Sequence, residues 1–238
     1  MKKILINFLC CFIPFSRTRH RLKHFAKGCE KLIVIEDGKE RMARIGEFPR
    51  IFVTGSGVNN IIKVELPCHP KMSAHISWMN SNNNCVVFHK NILGTWNVSC
   101  YSSDNSVEIG EETTSCDVSI TLIGNKLEIG RDCMFSNSIR IWGDGHSVLD
   151  FKSGEVLNKP KHPIVIGDHC WIGERTTLTK GAQIPNNCIV GIASVVTKSF
   201  INENCLIAGS PACIKKKGIT WSRFNPLDYE RKIKEIIK

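Results

Sequence analysis

The chain has 238 residues and carries 32 Lys and Arg against 22 Asp and Glu, a formal net charge of +10. With 42% hydrophobic and 23% charged residues it has the make-up of an ordinary globular protein, which excludes a disordered or fibrous chain. The charge is unevenly placed: residues 1–31 come to +7, residues 214–238 to +5 and the middle to −2. The basic character therefore belongs to the two ends, and no nucleic-acid partner is expected of the near-neutral body.

Residues 4–15, ILINFLCCFIPF, are almost wholly apolar and are bordered by Lys2, Lys3, Arg17, Arg19, Arg21 and Lys23. The run is short of the roughly 20 residues that a membrane-spanning helix needs, and it lacks a small-residue cleavage site. An apolar stretch edged by cations suits a segment lying in the membrane interface; a helix packed on its own protein would fit the same residues. Residues 32–106 are rich in Asn, Ser and short β-branched runs without helical periodicity. They read as strands separated by Asn/Gly turns, irregular coils that run on into the regular part of the chain.

From residue 107 the pattern becomes regular. Ile123, Ile129, Phe135 and Ile141 step by six, and after a break so do Ile166, Ile172, Leu178, Ile184, Val190 and Val196. Helices want apolar spacings of three and four, and flat strands want alternation. A sustained period of six fits the wall of a β-solenoid instead, each aliphatic residue pointing inward. Four places after each comes something small (Cys170, Thr176, Ala182, Cys188, Ser194), suited to a cramped second interior position, while Gly167, Gly173 and Gly191 supply positive φ or close backbone approach. Of the 12 cysteines, Cys133, Cys170 and Cys188 fall on these small positions and none forms a CxxC pair. That implies a reduced, cytoplasmic protein rather than a disulfide or zinc scaffold.

The break between Ile141 and Ile166 is not a multiple of six, so residues 142–164 leave the wall as a loop rich in Gly and Pro, with His146 at its root. A loop interrupting a regular scaffold is where function is usually carried. Residues 214–238 form a basic tail, with an amphipathic helix over 222–238 that packs on the protein or on a neighbouring subunit.

The texts DGHSVLD (144–150), HPIVIGDHCWIG (162–173), GIASVVTK (191–198) and AGSPA (208–212) resemble the hexapeptide-repeat acyltransferases, closest to the O-acetyltransferases of bacterial capsule and lipopolysaccharide synthesis. The resemblance runs from about Asn59 to Lys217. It implies an all-β fold, a left-handed parallel β-helix with short N- and C-terminal helical appendages, and an active homotrimer with acetyl-CoA lying between neighbouring prisms. It implies also that His146 is the general base, removing the proton from a sugar hydroxyl as that oxygen attacks the thioester. Asp144 either orients the imidazole or only caps its turn. Trp171, with Asn137 and Trp142, is placed at the acceptor, wall packing being the plain reading of Trp171. Glu174, Ile192, Ala193, Thr197, Lys198 and Lys216 are the residues matched to the cofactor, lysines suiting its phosphates. Two positions depart from the family pattern: Ile192, where GAGS is usual, and Cys213, where Lys or Arg is usual.

No metal is expected. A zinc enzyme on the same wall would need convergent histidines, and His146, His162 and His169 are not spaced for matching corners. Two rival functions stand beside the O-acetyltransferase: an N-acetyltransferase acting on an amino sugar, and a non-catalytic scaffold. The DGH loop counts against the scaffold. The expected location is the cytoplasm, with peripheral contact at the inner face of the cytoplasmic membrane through residues 1–31.

Overall fold

The computed structural model describes residues 31–44, 46–158 and 163–236. The membrane-interface expectation for residues 1–31 falls, but for Lys31, outside the described residues, as does His162. Among the described residues, no helix is long and apolar enough to cross a membrane.

The chain winds as a three-sided parallel β-solenoid, and each side is one sheet. One sheet contains β4 (Ile61–Glu65), β6 (Cys85–Phe88), β8 (Ser106–Ile109), β11 (Lys126–Ile129), β14 (Ile164–Ile166) and β17 (Gln183–Ile184), with β1 (Lys31–Glu36) and an antiparallel β2 (Lys39–Met42) at its end. A second contains β3 (Ile51–Ser56), β5 (Ser73–Met79), β7 (Thr95–Cys100), β10 (Val118–Leu122), β13 (Ile139–Trp142), β16 (Thr177–Thr179) and β19 (Val195–Val196). The third contains β9 (Thr114–Ser115), β12 (Met134–Phe135), β15 (Trp171–Ile172), β18 (Ile189–Val190), β20 (Cys205–Gly209) and the antiparallel β21 (Ala212–Lys217). Helix α1 (Pro226–Ile236) comes last; Asn225 caps it by accepting from the Asp228 N–H at 3.0 Å.

Coil length explains why the six-residue period appears only in places. Val165 lies on Gln183 and Trp171 on Ile189, 18 residues on, three strands of six. Earlier coils are longer: Ile61 lies on Cys85, 24 residues on, Cys85 on Ser106 after 21, and Ser106 on Lys126 after 20. The extra residues sit at the corners. Ile123 is one of them: it is half-buried at a corner, and Leu122 takes the interior position instead. Segments 32–106 are thus full coils with long corners, which is why no strict period marks them.

The inward positions are filled as the repeat requires. Ile129, Phe135, Ile141, Ile166, Ile172, Leu178, Ile184, Val190 and Val196 are all buried, as are Cys170, Thr176, Ala182, Cys188 and Ser194 at the small positions. Each buried aliphatic stabilises the fold by about 1.5–3 kcal/mol. Cys133, Cys170, Cys188 and Cys205 stack as a column, each thiol donating to a backbone carbonyl, with Cys133 to Gly167 O and Cys170 to Pro185 O both at 3.1 Å. A leucine at Cys170 would overpack that column, at about 1–3 kcal/mol.

The glycines take the second of the two uses that the sequence allows. Gly167, Gly173 and Gly191 do not adopt positive φ; a Cβ on Gly173 would stand 2.7 Å from Ile192 N in the next coil. Positive φ falls instead on ordinary residues at the corners, among them Ser138, His169, Arg175, Asn187 and Ala193.

A second column was invisible as such in the sequence. Asn60, Asn84, Asn105 and Asn125 are buried one above another at the corner leading from the second sheet to the first. Asn84 Nδ2 donates to Asn60 Oδ1 at 2.9 Å, Asn105 Nδ2 to Asn84 Oδ1 at 2.8 Å, and the Asn125 N–H to Asn105 Oδ1 at 3.1 Å. Asparagines that read as turn formers here satisfy one another in the interior.

The outer side of the first sheet is charged. His89 sits between Glu65 and Glu108, with Nδ1 2.8 Å from Glu65 Oε2 and Nε2 2.7 Å from Glu108 Oε1. Burial works to lower the imidazole pKa, but the bonds to the two carboxylates outweigh it and hold it above the ordinary value. A raised folded-state pKa stabilises below the unfolded value near 6.5 and is lost as pH rises through the folded one. His89→Gln should therefore lose up to about 1 kcal/mol at pH 6, the scale of partly exposed pairs. The gap to wild type should narrow on going to pH 9; thermal melts across that range measure it, and a gap that widens with pH contradicts the cluster's role.

Candidate active site

The chain leaves the solenoid after Trp142, at the corner where the asparagine column ends, and residues 143–158 are the described part of this loop: Asn125 Nδ2 donates to Gly143 O at 2.9 Å, and the Gly143 N–H to Thr121 O at 2.8 Å. Beyond this anchor the chain forms a hairpin. Leu157 N–H donates to Val148 O at 2.7 Å and Asp150 N–H to Glu155 O at 2.8 Å. Asp150 Oδ1 closes the turn by accepting from the N–H groups of Lys152 and Ser153 at 2.9 and 2.7 Å. The hairpin is open and exposes apolar side chains, Val148, Leu149 and Leu157 along its legs and Phe151, fully exposed, in its otherwise polar turn.

His146 stands at the near end of the hairpin and is exposed. Among the described residues its ring has no hydrogen-bond partner; its carbonyl accepts from Asn158 Nδ2 at 2.8 Å. Asp144 does not reach the imidazole. Its Oδ1 accepts from the Gly145 N–H at 2.8 Å, the turn-capping arrangement, and lies 3.4 Å from Lys180 Nζ. The carboxylate is only 10% exposed, so Lys180 is its charge partner in a shielded place. Lys180 also donates to Asn158 O, and Asn158 Oδ1 accepts from the Val148 N–H at 2.7 Å. One lysine of the next coil thus ties both legs of the loop together.

Nothing in the sequence singles out Lys180 or Asn158. Lys180 lies 36 residues from Asp144, and only the register of the coils brings them together: Trp142 pairs with Thr179, which puts Lys180 against the residues after Trp142. A lysine directly after a strand position is the signal, but it can be used only once coil length is known.

The other candidate residues fall along two edges and one face. Trp142 ends β13, is exposed, and turns its indole towards the loop: a Cβ on Gly145 would lie 3.8 Å from its Nε1. Thr197 and Lys198 come after β19 along the same edge, both exposed, with Lys198 Nζ 5.5 Å from the centre of the Phe200 ring. Asn137, Glu174, Ile192 and Ala193 share a different edge, where the Arg175 N–H donates to Asn137 O at 3.0 Å and the Ala193 N–H to Glu174 O at 2.8 Å. Ile192 is exposed there. Trp171 lies on the third sheet, its Nε1 3.4 Å from Ser136 Oγ, in register with Met134 and Ile189. Lys216 is exposed in β21 at the end of that sheet. A single chain therefore collects His146, Asp144, Trp142, Thr197 and Lys198 on one edge. It separates them from Asn137, Glu174, Ile192 and Ala193 by the width of the second sheet.

His169 has another employment. Its Nδ1 is 2.7 Å from Asp132 Oδ2, its ring stacks on Trp221 at 4.5 Å, and Trp221 Nε1 donates to His169 O at 2.8 Å. Burial works to raise the Asp132 pKa, but the bonds to His169 and Arg223 outweigh it and hold the carboxyl low. Arg223 reaches also Thr114 Oγ1 at 2.8 Å and Cys133 O at 3.1 Å, so this cluster fastens the C-terminal segment to the wall. The groove beside it, of about 470 Å³ and lined by Glu111, Arg131, Asp132, Asp168 and His169, is remote from the loop in the fold. Among the described residues, no three His, Cys, Asp or Glu side chains are grouped to hold a metal.

No family model matches the chain. Over 122 residues it is 31% identical to the polysialic acid O-acetyltransferase of Escherichia coli O1:K1 / APEC, a match covering 50% of this chain and 39% of that protein. Over 99 residues it is 37% identical to the putative lipopolysaccharide biosynthesis O-acetyl transferase WbbJ of Escherichia coli (strain K12), covering 37% of this chain and 49% of that one. The chain thus spans less than half the length of these two relatives. Of solved structures, the polysialic acid O-acetyltransferase OatWY superposes with a TM-score of 0.69 at 28% identity, over 89% of this chain and 94% of that one. The resemblance drawn from DGH, WIG, VVTK and SPA is borne out by these relatives, and the solenoid matches the left-handed β-helix acetyltransferase fold.

The clamp on the loop can be tested without any assay of function. Lys180→Met removes the cation shared by Asp144 and Asn158 and leaves the coil interior untouched. Its melting temperature should stay within a few degrees of wild type, while cleavage by a protease within 148–158 should quicken several-fold as the hairpin opens more often. Equal cleavage rates would show that the loop holds without the lysine.

Proposed function

We propose that the protein is an O-acetyltransferase that moves an acetyl group from acetyl-CoA to a hydroxyl of a sugar in a bacterial surface polysaccharide, capsule or O-antigen. The observation that carries this is the exposed imidazole of His146, without a hydrogen-bond partner among the described residues, on a turn whose Gly145 lies near the indole of Trp142. It stands on the long loop that leaves the wall between β13 and β14. The sugar O-acetyltransferase relatives give the same direction.

A neutral imidazole has a free ring nitrogen that can accept a proton, the capacity a general base needs. In this reading His146 takes the hydroxyl proton as the sugar oxygen attacks the thioester carbonyl, and returns it to the departing thiolate; transfer is direct. Asp144 acts on the loop rather than on the ring: paired with Lys180 it fixes the turn from which His146 projects, and it does not serve as the third member of a triad. Trp142 offers a face on which the sugar ring can stack, and Asn137 and Trp171 complete the acceptor site. Glu174, Ile192, Ala193, Thr197, Lys198 and Lys216 hold the acyl donor, the two lysines meeting its phosphates and the corner backbone its pantetheine arm. The exposed Ile192 narrows that passage relative to the usual alanine.

These residues occupy separate edges of one chain, so a site that uses both is completed by a second copy. A homotrimer satisfies this, and two features support it. The outer side of the third sheet carries an apolar row, Met134, Trp171, Ile189 and Leu206, in register from coil to coil. The hairpin also exposes Val148, Leu149, Phe151 and Leu157. The protein works in the cytoplasm in this reading, where its donor is made, with residues 1–31 at the inner face of the membrane.

The test is acetyl-CoA-dependent thiol release with surface polysaccharide from the producing cell, together with alkali-labile acetate on that polysaccharide in cells with and without the gene. His146→Ala should lower kcat/KM at least about 100-fold, the usual loss of a general base, without lowering the melting temperature. Full activity in that variant removes the assignment of the base, and unchanged acetate in cells lacking the gene removes the activity.

A further inference from the structure

The three outer faces of the solenoid differ in chemistry, and one is unlike an ordinary solvated sheet. The first carries alternating charge, with Lys63, Glu65, His89, Glu108, Lys126 and Glu128. The third carries the apolar row. On the second, the outward positions of β3, β5, β7, β10, β13 and β16 hold hydroxyls and amides, a few aromatic and sulfur-bearing side chains, and no carboxylate. Parallel register lines them into two rows. Thr54, Ser77, Ser99, Thr121, Trp142 and Thr179 form one, with Thr121 itself buried between its neighbours; Phe52, His75, Asn97, Ser119, Arg140 and Thr177 form the other.

Neighbouring strands lie about 4.8 Å apart, so the four steps from Thr54 to Trp142 cover roughly 19 Å. Aromatic platforms stand at both ends: the Phe52 ring stacks on His75 at 4.8 Å, and Trp142 lies against the loop that bears His146. Tyr101, 53% exposed, comes after β7 at the margin.

We infer that this face is a track for an extended glycan chain several sugars long, which runs along the long axis of the solenoid and delivers one of its residues to Trp142 and His146. The inference rests on the activity proposed above and narrows its acceptor to a polymer rather than a single sugar or sugar nucleotide. The argument is one of chemistry. Sugars are bound by stacking on aromatic faces and by hydroxyl and amide groups that exchange hydrogen bonds with them. A protein partner would want an apolar centre, which this face lacks and the third face has. Nucleic acid or an anionic membrane would want clustered cations, and Arg140 is the only Lys or Arg in either row. No outward strand position is a carboxylate; Asp117 reaches the face from the corner before β10, where its Oδ1 accepts from Asn97 Nδ2 at 3.0 Å, and with Arg140 and His75 present the track is open to acidic as well as neutral chains.

Binding can be measured separately from turnover. The probes are length-graded fragments of polysialic acid, an acidic chain, and of dextran, a neutral one, titrated by calorimetry into full-length wild type and into the His146→Ala protein, which should bind alike. Affinity for at least one series should rise with length and level off once the fragment spans the track. Thr54→Glu and Ser119→Glu, both at exposed positions, should weaken long fragments at least tenfold and short ones little. Ser106→Glu, the same kind of change on the charged face, should do neither, and circular dichroism and melting confirm the fold of each. In the thiol-release assay the two track variants should raise KM for polymer and leave kcat.

No binding of either series, affinity independent of length, or track variants that bind like wild type would each overturn the inference. So would a change in molecular mass in Thr54→Glu or Ser119→Glu, since the face would then be covered by another copy. Loss of acetyl transfer with binding retained would count against the proposed activity and leave the track standing.

Discussion

Everything in this molecule depends on each coil lying squarely on the one before it. Parallel strands in one-to-one register hydrogen-bond along their whole length, and so every side chain has its counterpart directly above and below. Interior space is then shared between like neighbours: Ile129 on Ile166 on Ile184, Phe135 on Ile172 on Val190, Cys133 on Cys170 on Cys188. A small residue in one coil demands a small residue in the next, because a wall packed to crystal density leaves nowhere for extra volume to go. The corners obey the same rule. Closing three strands of six residues needs a left-handed backbone at a fixed place in the coil, and Asp132, His169, Asn187 and Asn204 adopt it in turn although none is glycine. The carbonyls and amides of successive corners bond to each other, and that offsets the local cost of positive φ.

This explains what could be read from the sequence and what could not. From Ile164 to Val196 the coil is three sixes, so interior positions repeat in the text and the aliphatic and small residues announce the wall. Before that, the coils have 24, 21 and 20 residues. The same inward alternation exists in IIKVE, CVVF and TWNVSC, but variable corners shift its phase and no fixed period survives. Ile123 is instructive: it falls six before Ile129 by count, yet a longer corner places Leu122 inside. The asparagines misled in the same way. Asn84, Asn105 and Asn125 look like turn residues, and they are at turns, but their amides face inward and serve one another. Spacing in a sequence carries geometry only where the geometry itself has constant spacing.

At the site, the text pointed to the candidate residue, His146, but not to what holds it. His146 stood out because DGH interrupts a pattern. Its support comes from three coils at once: Asn125 from below grips Gly143, Lys180 from above grips Asp144 and Asn158, and Asn158 returns to the His146 carbonyl. Apart from Asp144 and Gly143, none of these lies near His146 in sequence, and register brings them to it. Asp144 was legible only as one of two things, a partner for the imidazole or a cap on its turn; the geometry selects the cap, with Lys180 as the added counter-charge.

A solenoid also explains why one chain can carry such different outer surfaces. Inward positions are bound by their neighbours, but the alternate, outward positions of each strand meet only solvent or a partner, and each face can drift towards one chemistry without disturbing the core. Register then turns a preference at one position into a row along the whole prism: charge on the first face, hydroxyls and amides on the second, apolar side chains on the third. The loop with His146 leaves the wall where the second face meets the first, and the corner with Ile192 and Ala193 lies where the second meets the third. The hydroxyl-lined face is therefore bounded by the two edges on which the candidate catalytic and donor residues stand. A long acceptor laid on that face would meet a catalytic edge along one of its margins, and that geometry depends on strand register alone.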